Sequence, residues 1–339
     1  MKRKAFLVFS ALICIPLFFA GTCDTPPPGP PDAGLYHTND EIEKELRVLE
    51  AAFPDIAKVF DLGESGEQRR IWAIKISDNV AAEEGEPEIL FVGGHHAREW
   101  IAVDVPLLLA KHLATQYSSD NAVRSLVDNG EIWVVPLLNP DGHQYSVTND
   151  RLWRKNRRNN GDGTFGVDLN RNYSFEWGGP GSSGDTFSET YRGPSAFSEP
   201  ETQVIRDLAN GHDFLAMISY HNYSQLVLFP WGHTNAPAPD EALLSQLATT
   251  MADSILNVHG KRYVPEQSSD LYLASGDATD WLYGETRVPS YTIELRPRSS
   301  RPGFLLPESE IQPTFEENLP AALFLIEWVE NSQAMTSTL

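Results

Sequence analysis

Apolar positions at helical spacing, Ile42, Leu46, Leu49 and Phe53, follow Thr38-Asn39-Asp40-Glu41 and precede Pro54. The pattern predicts a capped amphipathic helix. Residues 57–62 and 70–76 alternate in the manner of two strands joined by Gly63-Glu64-Ser65-Gly66. Ile89-Leu90-Phe91-Val92 is a continuous apolar run that ends in Gly93-Gly94, as a buried strand would. A long apolar helix over 101–117, a short helix and a second buried strand over 132–138 come next. Strand, turn, helix, strand is the order of a largely parallel sheet. Further on, a helix starts at Ser198-Glu199-Pro200-Glu201, a strand covers 214–219, a helix covers 240–259, a strand covers 288–295, and a helix over 315–329 closes the chain. The expected fold is a single α/β domain with a mixed, mainly parallel twisted sheet and helices on both faces.

Asn139-Pro140-Asp141-Gly142 reads as a turn that opens a Gly-, Asn- and Arg-rich stretch lasting to about residue 198. An irregular segment of that length in a compact domain points to a functional surface. It holds Arg151, Arg154, Lys155, Arg157 and Arg158, a basic cluster in an otherwise acidic chain.

With 41% hydrophobic and 10% aromatic residues, the 339-residue chain can bury a full core. The formal charge of −21 argues against nucleic acid and anionic membranes as partners. It leaves room for structural calcium, although no D-x-D-x-D-G loop marks a site. Met1-Lys2-Arg3-Lys4 and the apolar residues behind it resemble a secretory signal over 1–22, too short for a membrane span. A proline-rich linker over 23–34 leads to a domain over 35–335, with no activation prosegment between linker and first helix. Activity is therefore expected directly after signal removal. The two cysteines, Cys14 and Cys23, flank the expected cleavage point, so the domain has no internal disulfide. Cys23 follows Ala20-Gly21-Thr22 and is a candidate for lipidation; the location is secreted or extracytoplasmic, with a lipid anchor as the alternative. A monomer is expected.

Two histidines leave two strand ends: His96, three residues before Glu99, and His221. An imidazole and a carboxylate at this spacing can share a divalent ion, but a zinc site needs a third protein ligand. Six motifs in order supply the context: His96-Ala97-Arg98-Glu99-Trp100, Asn149-Asp150-Arg151-Leu152-Trp153-Arg154-Lys155, Gly166-Val167-Asp168-Leu169-Asn170-Arg171-Asn172, Ser219-Tyr220-His221-Asn222-Tyr223-Ser224-Gln225, Leu271-Tyr272-Leu273-Ala274-Ser275-Gly276 and Thr292-Ile293-Glu294-Leu295-Arg296. From about Tyr36 to Trp328 the chain resembles the zinc metallocarboxypeptidases of the carboxypeptidase A/B type.

The resemblance implies one zinc per chain on His96, Glu99 and His221, with Asp168 fixing the imidazole of His96. It implies Glu294 as general base and Arg154 as oxyanion stabiliser. Asn170, Arg171 and Tyr272 would clamp a terminal carboxylate, and Arg98 and Arg151 would serve secondary subsites or relay the carboxylate. His95 is left without a role. Asp277 and Thr279 resemble the pocket pattern of bacterial carboxypeptidase T, which implies removal of hydrophobic and also Lys or Arg residues from peptide and protein C-termini. Two alternatives stay open: a cell-wall peptide amidase on the same scaffold, and an inactive binding module.

Overall fold

The two sides of most central strands belong to different cores. In β3 (Glu88–Val92), Ile89 and Phe91 join one buried cluster and Leu90 and Val92 the other. A strand that is apolar on both faces needs cover on both faces, which is why its sequence shows no alternation. The computed structural model describes residues 35–82 and 84–336. The expected signal, linker and both cysteines lie outside them.

The other strands are β1 (Ala57–Glu64), β2 (Arg70–Ile76), β4 (Glu131–Val135), β5 (Phe214–Asn222), β6 (Leu226–Phe229), β7 (Val264–Gln267) and β8 (Ser290–Leu295). They form one sheet in the order β1-β2-β4-β3-β5-β8-β6-β7. β4, β3, β5 and β8 run parallel at its centre, β2 pairs antiparallel with β4, and β6 pairs antiparallel with β8. The helices are α1 (Asn39–Ala52), α2 (Ile101–Gln116), α3 (Asn121–Asp128), α4 (Pro140–Thr148), α5 (Pro200–Gly211), α6 (Glu241–His259), α7 (Ser268–Leu271), α8 (Ala278–Thr286) and α9 (Ile311–Thr336). Residues of α1, α2, α3, α6 and α9 fill the core on one face, and α5 and α8 cover the other. The predicted mixed, mainly parallel architecture is the one observed.

Local chemistry sets the element ends. The Thr38 hydroxyl accepts from the Glu41 amide while the Glu41 carboxylate accepts from the Thr38 amide, a reciprocal cap that starts α1. Gly93 permits the tight exit from β3, because a Cβ there would lie 2.2 Å from the Ala102 carbonyl oxygen and 2.7 Å from that of Pro136. Gly94 adopts φ +67°, where a side chain would be strained.

Two expectations need correction. Asn139-Pro140-Asp141-Gly142 opens α4 instead of an irregular loop: the Asn139 side-chain oxygen accepts from the Gly142 amide (2.9 Å) and Pro140 occupies the first turn. Asparagine followed by proline suits a helix start as well as a turn. β6 and β7 escaped the periodicity because each is only four residues long. From residue 149 to 199 the chain is irregular apart from one 3₁₀ turn, Leu169–Arg171, as expected. Buried amides hold it: Asn156 Nδ2 donates to Glu199 (2.8 Å), and Asn172 Nδ2 donates to the carbonyls of Arg192 (2.9 Å) and Ser195 (3.0 Å).

At the far end of β8, Arg296 forms a paired contact with the fully buried Glu317 of α9 and a further one with Glu310. This anchors the strand end two residues from Glu294. Removing one partner of a buried pair leaves an uncompensated charge, so Glu317→Leu is expected to cost roughly 3 kcal/mol. Urea unfolding should show the loss, and the double variant Arg296→Met/Glu317→Leu should recover most of it.

Candidate active site

The parallel strands deliver the key side chains to their shared carboxyl end, the usual place for a site in such sheets. His96 and Glu99 lie between β3 and α2, His221 is the penultimate residue of β5, and Glu294 is its register partner on β8. The Nδ1 atoms of His96 and His221 face each other at 3.1 Å. Glu99 offers Oε1 at 2.8 Å from the first and Oε2 at 3.0 Å from the second. All three residues are buried.

At this distance at most one of the two imidazole nitrogens carries a hydrogen toward the other, and with both deprotonated their lone pairs converge with the Glu99 carboxylate on a point suited to a cation. Two imidazoles and a carboxylate are the donor set of a zinc centre with an open position. These residues fit zinc. Although burial alone would raise it, the neighbouring His96 and His221 hold the Glu99 carboxyl well below the usual range. The calcium expectation meets three carboxylates, Asp78, Glu84 and Glu86, whose oxygens lie within 4.8 Å of one another at the protein surface. Nothing else in the structure marks that group as a site.

Around the triad sits a polar scaffold. Asp168, fully buried, accepts from His96 Nε2 (3.1 Å), from Arg154 Nε (3.1 Å) and Nη2 (2.9 Å), and from the Asn170 amide (3.0 Å). Burial opposes its ionisation, but Arg154, His96 and Arg171 hold it well below the ordinary carboxylate range. Arg154 keeps Nη1 for the site side, 4.0 Å from Glu99 Oε1. Glu294 is shifted the other way, because burial and the nearby Glu99 charge push it well above its ordinary value, against Arg154 and Arg171. A divalent cation at the triad would pull it down as well.

A cavity of about 560 Å³ opens over these groups. Its lining includes His96, Glu99, His221, Glu294, Arg154, Asn170, Arg171, Tyr272, Asp277, Thr279 and Arg98, so the structure gathers nearly every residue singled out in the sequence. Arg171 is buried and donates from Nε to the Gly181 carbonyl (3.0 Å), and its guanidinium lies 5.7 Å from the centre of the Tyr272 ring. Tyr272 is 49% exposed at the rim. Asp277 uses Oδ1 to cap α8, accepting from the amides of Thr279 (3.1 Å) and Asp280 (2.9 Å) and from the Thr279 hydroxyl (2.6 Å). Its Oδ2 is buried without a hydrogen-bond partner among the described residues.

Arg151 is the exception. It does not line the cavity: its guanidinium donates to the carbonyls of Arg98 (2.8 Å) and Phe304 (2.7 Å) and stacks 3.6 Å from the centre of the Trp100 ring. It braces the wall from behind instead of meeting a ligand. Sequence reasoning missed Glu189, which pairs with Arg98 (3.3 Å), and also Tyr223 and Phe304 at the mouth. Tyr223 lies inside the motif around His221, where only its role went unread, while Glu189 and Phe304 come from separate loops that no spacing in the chain announces. It also left His95 aside, which the structure buries beside His221.

A mixed α/β sheet that presents two imidazoles and a carboxylate to an arginine-walled cavity is the frame of a zinc hydrolase. The sequence profile described as zinc carboxypeptidase matches residues 42–321. Carboxypeptidase B of Astacus astacus is 38% identical over 304 residues, covering 88% of this chain and 98% of that protein. Carboxypeptidase A1 of Rattus norvegicus is 38% identical over 295 residues, covering 86% and 70% respectively. Among solved structures, thrombin activatable fibrinolysis inhibitor superposes with a TM-score of 0.83 at 33% identity, covering 87% of this chain and 75% of that one. The chain belongs to the zinc carboxypeptidase family and is a metallocarboxypeptidase that uses zinc.

Proposed function

We propose that the chain removes single residues from the C-termini of peptides and proteins, both hydrophobic and basic, with its work divided among the residues of one cavity. The observation that carries this reading is that Arg171, Glu294 and the metal-ligand triad line the same cavity. An exopeptidase must hold a free terminal carboxylate and attack the adjacent peptide bond at once.

In this division Arg171 and Asn170 anchor the carboxylate, a task suited to a planar guanidinium fixed by its own hydrogen bonds. Tyr272, half-exposed at the rim, closes over the bound end. Zinc, when bound, supplies Lewis-acid activation of water and of the scissile carbonyl. Glu294 takes a proton from the attacking water and passes it to the departing amine. Arg154 directs Nη1 at the carbonyl oxygen as it gains charge, while Asp168 keeps the guanidinium from swinging away. Arg98 and Glu189 line the mouth, where residues further from the terminus would lie.

The side chain of the residue to be removed would enter between Leu228, Leu271, Ala274 and Thr292, with Ser268, Asp277 and Thr279 as the polar part. Burial, then the Asp280 charge, push the Asp277 carboxyl up to about 7, against the pull of Arg171. Tyr173 and His233 also sense the Asp277 charge. Below that pH the group is neutral and suits apolar side chains; above it, the unpaired Oδ2 is a counter-ion for Lys or Arg. The secreted, extracytoplasmic location rests on the signal-like first residues. Among the described residues no helix is long and apolar enough to cross a membrane.

Two peptides identical except for a free carboxylate or an amide at the end test the carboxylate anchor. Mass spectrometry should show stepwise loss of single residues from the free acid only. Cleavage of both would contradict the anchoring role of Arg171 and favour an amidase.

The pocket makes a second prediction. The ratio of kcat/KM for C-terminal Lys over C-terminal Leu should rise about tenfold with pH, as expected for a hydrogen bond to a charged group. The inflection should lie near pH 7, because kcat/KM reports the ionisation of the free enzyme. In Asp277→Asn the ratio should stay low and flat.

A further inference from the structure

His95 adjoins a metal ligand, and none of the roles above uses it. Its ring is buried 5.3 Å from that of His221 at an interplanar angle of 24°. Both ring nitrogens meet hydroxyls: Nε2 lies 2.8 Å from the Tyr173 oxygen and Nδ1 lies 3.3 Å from Ser219 Oγ. Ser219 Oγ in turn lies 3.0 Å from His221 Nε2. His221, Ser219, His95 and Tyr173 therefore form one chain of contacts, every member of it buried.

One end fixes the first link of this chain. His221 turns Nδ1 toward Glu99 and His96, and ligation there requires a lone pair, so the ring hydrogen sits on Nε2 and is donated to Ser219 Oγ. The Ser219 hydroxyl also meets His95 Nδ1, and the Tyr173 hydroxyl meets His95 Nε2, so one nitrogen of a neutral His95 ring donates and the other accepts. No carboxylate touches His95, and an unpaired charge at so buried a position would be costly, so its ring is neutral. With the hydrogen on either nitrogen of His95, Ser219 Oγ still accepts from His221 Nε2.

We propose that Ser219 and His95 are positioning residues that lock His221 in its Nδ1-ligating tautomer and ring plane. The inference rests on the reading of His221 as a zinc ligand. It makes the two imidazole ligands unequal: His96 is oriented by the charged Asp168, itself held by Arg154, whereas His221 is oriented by a neutral relay that adds no charge to the centre.

Zinc dissociation constants, measured by chelator competition on the mature chain, test this alongside thermal melts of the zinc-free proteins. Ser219→Ala and His95→Leu should each weaken zinc about tenfold or more, the effect usual for outer partners of ligating histidines. The double variant should be no weaker than the worse single one, because both remove the same relay. Ser219→Thr, which keeps the hydroxyl, should bind like the wild type. If His95→Leu does not fold, Ser219→Ala, which removes one oxygen only, decides the matter. A folded Ser219→Ala chain with affinity within twofold of wild type would overturn the proposal, as would additive losses in the double variant. A wild-type chain that fails to hold zinc tightly would instead overturn the ligand reading, and this inference with it.

Discussion

One buried carboxylate, that of Asp168, ties the parts of the site together. It accepts hydrogen bonds from the ligand His96, from two nitrogens of Arg154 and from the amide of Asn170. A metal ligand, the cation beside it and the turn carrying Asn170 and Arg171 thus share one anchor that is charged and closed to water. An isolated anion there would be prohibitively costly, and it is tolerable because each of its partners is a donor and one is a full cation. The site's geometry follows from satisfying that single charge.

The sheet supplies what Asp168 cannot. β3, β5 and β8 are neighbours in register, so His96, His221 and Glu294 emerge side by side although they are far apart in sequence. β3 and β5 contribute to both cores and β8 to one, which leaves the strand ends little freedom. Functional side chains on rigid strand ends, with the pocket completed by loops, let the scaffold fix the chemistry while the loops set preference. The Ser219–His95–Tyr173 chain fits the same logic, since Ser219 stands on β5 opposite Val92 of β3.

The strong periodicities were legible in the sequence. Long helices and the four central strands stood out, and with them the parallel order that makes a carboxyl-end site. The candidate metal and catalytic residues were legible only through the six motifs taken together, because an isolated histidine at a strand end carries no such meaning. What stayed hidden has physical causes. α4 begins with asparagine and proline, which serve turns and helix starts equally. β6 and β7 are too short for alternation to register. Arg151 and Arg154 sit three residues apart in one basic cluster, and only packing shows that the first braces Trp100 while the second faces the site. The partner that turns His95 from a neighbour into a support, Ser219, is more than a hundred residues away.

The account stands on the convergence of His96 Nδ1, His221 Nδ1 and the Glu99 carboxylate, and diffraction from crystals of the mature chain at the zinc absorption edge tests it directly. The account predicts one strong anomalous peak at about 2.0–2.2 Å from both Nδ1 atoms and from a Glu99 oxygen, the distances zinc adopts with such ligands. A peak bonded to Nε2 of either histidine, or one lying at Asp78, Glu84 and Glu86 with none at the triad, would contradict it.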